Sequence, residues 1–208
     1  MKIIIENDSV FVDTTEYIRT VAENVATSLS NDVFGSIFEY ILEVEGGYSN
    51  DKADKGGKTK YGIIEAEARK YGYKGDMKDL TKDIAEDIYK NKYYLSNNLD
   101  KIKDKRVALS IADWTINSGS WGLKKAQQVV NILKGDILVV DGRIGEKSIE
   151  AINSINPEMF LTQYHDLQRK FYHAIVNSNS SQSVFLKGWL NRVARKEEYI
   201  KGMEVSKW

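Results

Sequence analysis

The sequence of 208 residues contains no cysteine. This absence excludes disulfide bonds, thiol nucleophiles and cysteine-based metal sites, and it leaves the redox compartment open. Histidine is scarce as well, because only His165 and His173 are present. They lie eight residues apart, without the four-residue spacing of helical zinc ligands. We therefore predict no metal site and no cofactor, and we expect both histidines to be structural.

A net charge and a long apolar run are also missing. Lys plus Arg and Asp plus Glu number 30 each, so the formal net charge is zero and no global field favours nucleic acid or membrane. At the N-terminus, Glu6 and Asp8 follow a short apolar run. We predict no signal peptide and no transmembrane segment there. We expect no nucleic-acid partner and no stable membrane insertion.

What is present is 42% apolar content, enough for a core in one domain or two small packed lobes. Residues 2–12 form two β-rich runs around Asn7 and Asp8, which predicts a small hairpin. Asp13 and Glu16 resemble a capping box, and helical periodicity continues to about Ser30. The pattern predicts a mainly α fold with a small N-terminal hairpin.

Helical spacing of apolar residues recurs along the rest of the chain. One helix is predicted from Phe34 through Leu42, ended by Gly46 and Gly47. The polar, glycine-rich stretch 48–61 is predicted to be a loop or a short irregular ribbon. Further helices are predicted over residues 80–94, 106–117, 124–133, 158–175 and 184–200.

Glu45 lies one helical turn after Ile41, so it continues the apolar stripe of its helix. Burial and the negative end of the helix dipole would both raise the pKa of its carboxyl. A carboxyl that stays protonated near neutral pH is the general acid that glycoside hydrolysis needs. The alternative interpretation is an exposed glutamate at the end of a helix.

Asp54 lies nine residues after Glu45, in a loop rich in lysine. The surrounding cations should keep it ionised. A glycosidase typically has two carboxyl groups, one with a raised pKa that acts as the acid and one with a lowered pKa that acts as the base. If Asp54 activates water, the two carboxyl groups should stand roughly 6.5 to 9.5 Å apart and the product should be inverted. The alternative is an aspartate that only forms a turn.

A polar stripe is predicted on the helix from Arg106, where Arg106, Ser110, Asp113 and Asn117 share one face. This stripe could line a sugar-binding cleft, although a solvated face is the commoner explanation. Trp121 follows the end of the helix, which favours the edge of a crevice.

The run EGGYSNDKADKGGKTKYGI, residues 45–63, resembles the opening motif of glycoside hydrolase family 108. The runs IYKNKYY (88–94), ADWTINSG (112–119), DGRIGEKS (141–148) and KGWLNRV (187–193) are similar to that family in the same order. The resemblance covers about 170 residues, from Phe34 to the end. It implies a lysozyme-like fold, Glu45 as catalytic acid, and a peptidoglycan-binding domain in the second half.

Glu45, Asp54 and Thr59 also resemble the catalytic triplet of phage-type lysozymes, in which the threonine lies one residue further on. We expect Asp54 to be the base or electrostatic partner and Thr59 to orient water. The candidate sugar contacts are Tyr48, Tyr61, Asp113, Asn117 and Trp121. For Tyr48, Asp113 and Asn117 the alternative role is to hold the cleft together.

The sequence thus predicts three parts, which are an extension over residues 1–33, a muramidase domain over 34–120 and a helical peptidoglycan-binding-like domain over 121–208. We expect hydrolysis of the β-1,4 bond between N-acetylmuramic acid and N-acetylglucosamine in peptidoglycan glycan strands. The alternatives are a lytic transglycosylase and a non-catalytic wall-binding or secretion-helper protein. A phage lysin released to the cell wall, or a virion component, fits this expectation. The extension is predicted to dock a partner or to regulate.

Overall fold

The computed structural model describes residues 2–6, 9–13, 19, 34–42 and 58–203. Residues 1–36 and 37–208 form two compact units. In the first unit, strand β1 (Lys2–Glu6) pairs antiparallel with strand β2 (Ser9–Asp13), in a register that places Glu6 opposite Ser9. This confirms the predicted N-terminal hairpin. Except for Arg19, the predicted helix that ends near residue 30 lies outside the described residues.

The second unit is mainly helical. Its first described residues, 37–42, belong to helix α1, which covers residues 34–42, and a two-stranded antiparallel sheet precedes the later helices. The elements after α1 are β3 (Thr59–Lys60), β4 (Ile63–Ile64), α2 (Glu65–Lys70), α3 (Lys82–Tyr89), α4 (Lys105–Ser118), α5 (Ser120–Lys134), α6 (Glu146–Asn153), α7 (Pro157–Ser178) and α8 (Ser183–Lys201). Among the described helices, none is both long and apolar enough to cross a membrane.

Local capping explains where two of the long helices, α4 and α7, begin. The Asp104 carboxylate accepts hydrogen bonds from the backbone N–H groups of Arg106 and Val107 at the start of α4. The Asn156 side chain caps α7 in the same way, and Pro157 occupies the first turn, where no backbone donor is needed. The predicted helices over 106–117, 158–175 and 184–200 are found with limits that differ by one to three residues.

Three predictions need correction. Within the segment 80–94, only α3 is α-helical. It begins after Thr81, which caps its first turn, and a wider helical turn over 90–94 replaces the regular helix at its end. Helix α5 begins at Ser120 rather than at residue 124, directly after Gly119. Helices α2 and α6 are absent from the prediction because six and eight residues are too few for a clear period.

The core of the second unit is centred on Trp114 of α4, which is fully buried. Its ring meets those of Tyr164 and Phe171 of α7 edge-on, with centroid distances of 5.1 and 5.7 Å. Helix α5 approaches α4 closely at Gly122, where an added Cβ would lie 2.6 Å from the backbone nitrogen of Thr115. The Tyr164 hydroxyl donates to the Gly122 carbonyl at 2.9 Å, so α4, α5 and α7 meet at one point.

Three of the four residues in the polar stripe of α4 are covered by other helices, and only Asn117, at the end of α4, is exposed. Arg106, Ser110 and Asp113 are all buried. Ser110 Oγ lies 3.2 Å from Nε2 of His165 in α7, and Arg106 forms an ion pair with Glu158 at the start of α7. A solvated face is wrong for these three residues, because helical spacing identifies a polar face without showing what covers it. Helices α7 and α8 cover this one.

A buried ion cluster joins α4 to α8 around Asp113. Oδ1 of Asp113 accepts from Nε of Arg192 at 2.9 Å, and Oδ2 accepts from Nζ of Lys196 at 3.0 Å. Asp113 and Lys196 are both fully buried. Burial opposes ionisation of the carboxyl, but Lys196 and Arg192 outweigh it and hold the pKa of Asp113 below its ordinary value. This contribution to stability is present above the ordinary aspartate pKa and is lost as the pH falls through the lowered one.

The first prediction concerns the close approach at Gly122. Gly122→Ala should lower the free energy of unfolding by about 1 to 3 kcal/mol, since its methyl group meets the backbone of α4. Gly188→Ala is the matched control, because nothing lies within 4 Å of an added Cβ at this position in α8. It should be neutral or stabilise by up to about 1 kcal/mol. Urea unfolding of both variants measures the difference, and equal effects would contradict the close approach.

The second prediction concerns the ion cluster. Lys196→Met should cost about 3 to 5 kcal/mol, because it leaves the buried carboxylate with only Arg192 as counter-ion. The double variant Asp113→Asn with Lys196→Met should cost less than the sum of the single variants, since it removes both charges. Chemical denaturation of the four proteins in this cycle gives the coupling energy. A coupling energy near zero would show that the ion pair does not stabilise the fold.

Candidate functional site

Three of the candidate site residues, Glu45, Tyr48 and Asp54, lie outside the described residues. The structure does describe Thr59, Tyr61, Asp113, Asn117 and Trp121. These five fall into three places, which are the β3–β4 hairpin, the contact between α4 and the last two helices, and the start of α5.

The β3–β4 hairpin carries Thr59 and Tyr61. Thr59 pairs with Ile64, and Tyr61 and Gly62 form the two-residue turn, with φ angles of 53° and 74°. Two residues with positive φ give the turn type that matches the twist of a tight hairpin. A non-glycine residue is strained in this region. The hydroxyl of Tyr89 in α3 donates to the Tyr61 carbonyl at 2.9 Å and helps to hold the turn in place.

A pocket of about 200 Å³ adjoins this hairpin. The hairpin contributes Gly62, Ile63 and Ile64, and α2 contributes Glu67. The other lining residues are Ile88, Tyr89, Lys92 and Tyr93, all from the IYKNKYY run. The pocket therefore forms where the end of the glycine-rich motif meets the second motif of the sequence.

Among the described residues that line this hairpin pocket, the charged ones are Glu67 and Lys92, and they form an ion pair. Nζ of Lys92 lies 2.9 Å from Oε2 of Glu67 and 4.6 Å from the centroid of the Tyr93 ring. Burial alone would lower the pKa of Lys92, but hydrogen bonds with Tyr93 and Glu67 outweigh it and raise the pKa. The ammonium group therefore stays charged. Apolar and aromatic walls with a few fixed polar groups are typical of a site for a small polar ligand such as a sugar ring.

Asp113 and Asn117 do not line the hairpin pocket. Both oxygens of Asp113 are engaged in the buried ion cluster. The side-chain oxygen of Asn117, at the end of α4, accepts from the Tyr172 hydroxyl of α7 at 2.9 Å. Of the two roles predicted for these residues, contact with sugar or support of the structure, these contacts favour support.

Trp121 is the second residue of α5, and 47% of its surface is exposed. Its ring packs against Phe171 at 5.3 Å, and the ammonium groups of Lys124 and Lys125 lie 5.4 and 5.8 Å from its centroid. Trp121 is therefore accessible enough to stack on a sugar, but it is not part of the hairpin pocket.

Sequence reasoning did not single out Glu67, Lys92 or Tyr93. A signal for two of them was present, because Lys92 and Tyr93 belong to the IYKNKYY run. Glu67 gave no signal, since it lies on a helix too short to be predicted. Within the described part of the chain, no group of three or more His, Asp or Glu side chains is placed to hold a metal ion.

Comparison with known proteins identifies both halves of the chain. Residues 38–119 match the family described as glycosyl hydrolase 108, and residues 122–194 match the predicted peptidoglycan domain. The solved structure of Brucella abortus SagA is similar to this chain, with 27% sequence identity and a TM-score of 0.68. The match covers 86% of this chain and 99% of SagA. No curated protein matches the sequence.

These matches confirm the family resemblance and the mainly α, lysozyme-like fold predicted from the sequence. The chain therefore carries a glycosyl hydrolase 108 domain followed by a predicted peptidoglycan domain, and it is a lysozyme-like glycoside hydrolase that acts on peptidoglycan.

Proposed function

We propose that the protein is an N-acetylmuramidase that hydrolyses the β-1,4 bond between N-acetylmuramic acid and N-acetylglucosamine. The observation that carries this proposal is the hairpin pocket. It adjoins the end of the motif that contains Glu45 and Asp54, within the segment that matches glycosyl hydrolase 108. A sugar bound there would lie next to the hairpin of Thr59.

Glu45 is the general acid in this proposal. Ile37, Phe38 and Ile41 of α1 are all buried, and Glu45 follows Ile41 by four residues, the length of about one helical turn. This spacing supports a desolvated carboxyl whose raised pKa keeps it protonated, so that it can donate to the leaving glycosidic oxygen.

Asp54 and Thr59 act on water in this proposal. Asp54 serves as base or as electrostatic partner of the oxocarbenium-like transition state, and Thr59 orients the attacking water. Thr59 lies on a hairpin whose turn Tyr89 helps to hold. A threonine in a fixed hairpin can hold water in one position, which supports this role.

The hairpin pocket binds one sugar of the glycan strand in this proposal. The face of Tyr93 provides apolar contact, and the Glu67–Lys92 ion pair provides a charged acceptor and donor for hydroxyl or acetamido groups. Trp121 would stack on a sugar elsewhere along the strand. Tyr48 and Tyr61 would complete the contacts.

The site of action is the cell wall. The predicted peptidoglycan domain supports a wall-directed protein, and a phage lysin or a virion-associated enzyme is the proposed context. For the N-terminal hairpin we propose a docking role toward a partner.

The catalytic proposal predicts that Glu45→Gln abolishes cleavage of purified peptidoglycan. Glu39→Gln is the matched control, because Glu39 is an exposed glutamate of α1 whose ion pair with Lys82 lies at the surface. It should retain full activity. Muropeptides are reduced with borohydride and analysed by mass spectrometry. Reducible muramic acid ends should appear with the wild type and the control and should be absent with Glu45→Gln.

Other outcomes of this experiment would replace the proposal. Anhydro ends from the wild type would identify a lytic transglycosylase, which needs the acid but no water-activating carboxylate. Binding of peptidoglycan without cleavage would identify a wall-binding protein. Cleavage by Glu45→Gln at the wild-type rate would assign the acid to another residue.

The pocket proposal predicts that Ile64→Trp lowers kcat/KM at least tenfold, because Ile64 is a partly exposed wall of the hairpin pocket and a larger side chain would fill it. Ile137→Trp is the control, since this isoleucine is 55% exposed and lies outside the pocket. Both variants should keep the wild-type melting temperature. Wild-type kcat/KM in Ile64→Trp would show that the pocket does not hold substrate.

A further inference from the structure

A second and larger pocket, of about 560 Å³, lies between α4, α7 and α8. It contains none of the residues assigned to the hydrolytic reaction. Most of its lining comes from α7, within the segment that matches the predicted peptidoglycan domain. Its volume falls in the range of pockets that bind small organic ligands.

The charges around this α7–α8 pocket are balanced. Its cations are Arg106, Arg169 and Lys201, and its acidic residues are Glu158, Asp166 and Glu197. A site for a purely anionic ligand, such as a phosphate polymer, would present an excess of cations. A balanced lining fits a ligand that carries both carboxylate and ammonium groups.

Several of these charged groups remain accessible. The side chains of Glu158 and Asp166 are 69% and 45% exposed, and that of Arg169 is 39% exposed. The pairs of Arg169 with Glu197 and of Asp166 with Lys170 lie at the protein surface, where such pairs contribute little to stability. A charged ligand can therefore share or replace these pairs at low cost.

The inner wall of the pocket is uncharged. His165 is 2% exposed, and burial, with the nearby charges of Lys196 and Arg169, lowers its pKa to about 2. The ring is therefore neutral, with Nδ1 positioned to donate to Glu197 at 3.3 Å and Nε2 to accept from Ser110 at 3.2 Å. A neutral histidine with both nitrogens engaged offers a flat surface rather than a charge.

Leu161 and Ile200 add apolar area to this pocket, and each is largely buried. The complete lining therefore combines an apolar and neutral interior with charges of both signs at the rim. A short peptide with small methyl side chains, free carboxylates and one ammonium group matches this arrangement.

We propose that the α7–α8 pocket binds the peptide stem of peptidoglycan, the short chain attached to muramic acid that contains alanine, a γ-linked glutamate and a diamino acid. This inference rests on the proposed action on peptidoglycan. Arg169 binds a stem carboxylate, and Asp166 or Glu158 binds the ammonium of the diamino acid. Leu161 and Ile200 contact an alanine methyl group. The glycan and the peptide are thus recognised at separate sites.

The experiment titrates the full-length protein with a soluble, sugar-free tetrapeptide stem whose N-terminal amine is acylated, as it is in the wall, and follows binding by calorimetry and NMR. Arg169→Gln removes a carboxylate contact and should weaken binding about tenfold. Thr162→Trp should weaken it at least as much, because Thr162 is an exposed lining residue and the larger side chain would obstruct the pocket. Lys147→Gln is the control, since it removes an exposed cation of α6 outside the lining.

Acetylation of the ammonium group of the diamino acid tests the second charge. The acetylated stem should bind the wild type about tenfold more weakly, whereas glycerol phosphate should compete poorly with the unmodified stem. Strong competition by glycerol phosphate, without any effect of acetylation, would identify an anion site and overturn the proposal. Absence of peptide binding at millimolar concentration, or equal binding by all the variants, would also overturn it.

Cleavage of glycan strands stripped of their peptides separates this inference from the proposed muramidase activity. If stripped strands are cut and the peptide does not bind, the pocket assignment fails while the muramidase proposal stands. If the peptide binds as predicted and neither stripped nor intact strands are cut, the muramidase proposal fails while the pocket assignment stands.

Discussion

The second unit depends on one buried carboxylate. Asp113 holds Arg192 and Lys196 of α8 against α4, and Lys196 continues the contacts by donating to Gln168 of α7 at 2.7 Å. Gln168 in turn donates to the Tyr172 hydroxyl at 3.1 Å. Such contacts have fixed directions and lengths, whereas apolar packing tolerates some sliding. The cluster therefore sets the axial position of the last two helices relative to α4.

This arrangement relates two of the sequence motifs to each other. ADWTINSG contributes Asp113 and KGWLNRV contributes Arg192, and the two side chains meet although 79 residues separate them. The fourth motif, DGRIGEKS, has a comparable structural role. Its Asp141 accepts from the side chain of the buried Gln127 of α5, which also accepts from the Gly142 backbone. Three of the motifs that resemble the family thus contribute contacts that hold the helices together. The IYKNKYY motif instead contributes residues that line the hairpin pocket.

The sequence predicted the long helices well because three or more turns of apolar spacing give a clear period. It did not predict α2 and α6, which are too short for this signal, or the turn of Tyr61 and Gly62, whose positive φ angles usually favour asparagine and glycine. The stripe on α4 was misinterpreted because its partners lie on helices far along the chain. The hairpin pocket needed tertiary contacts between α2, the hairpin and the IYKNKYY run, and no single segment carries that information.

The family matches place a boundary at residues 119–122, between the hydrolase domain and the predicted peptidoglycan domain. At this point Gly122 packs against the backbone of α4 and accepts from Tyr164. The limit between the two sequence families therefore runs through a tightly packed interior instead of a linker. Neither half could therefore be exchanged for an unrelated domain without rebuilding that interior.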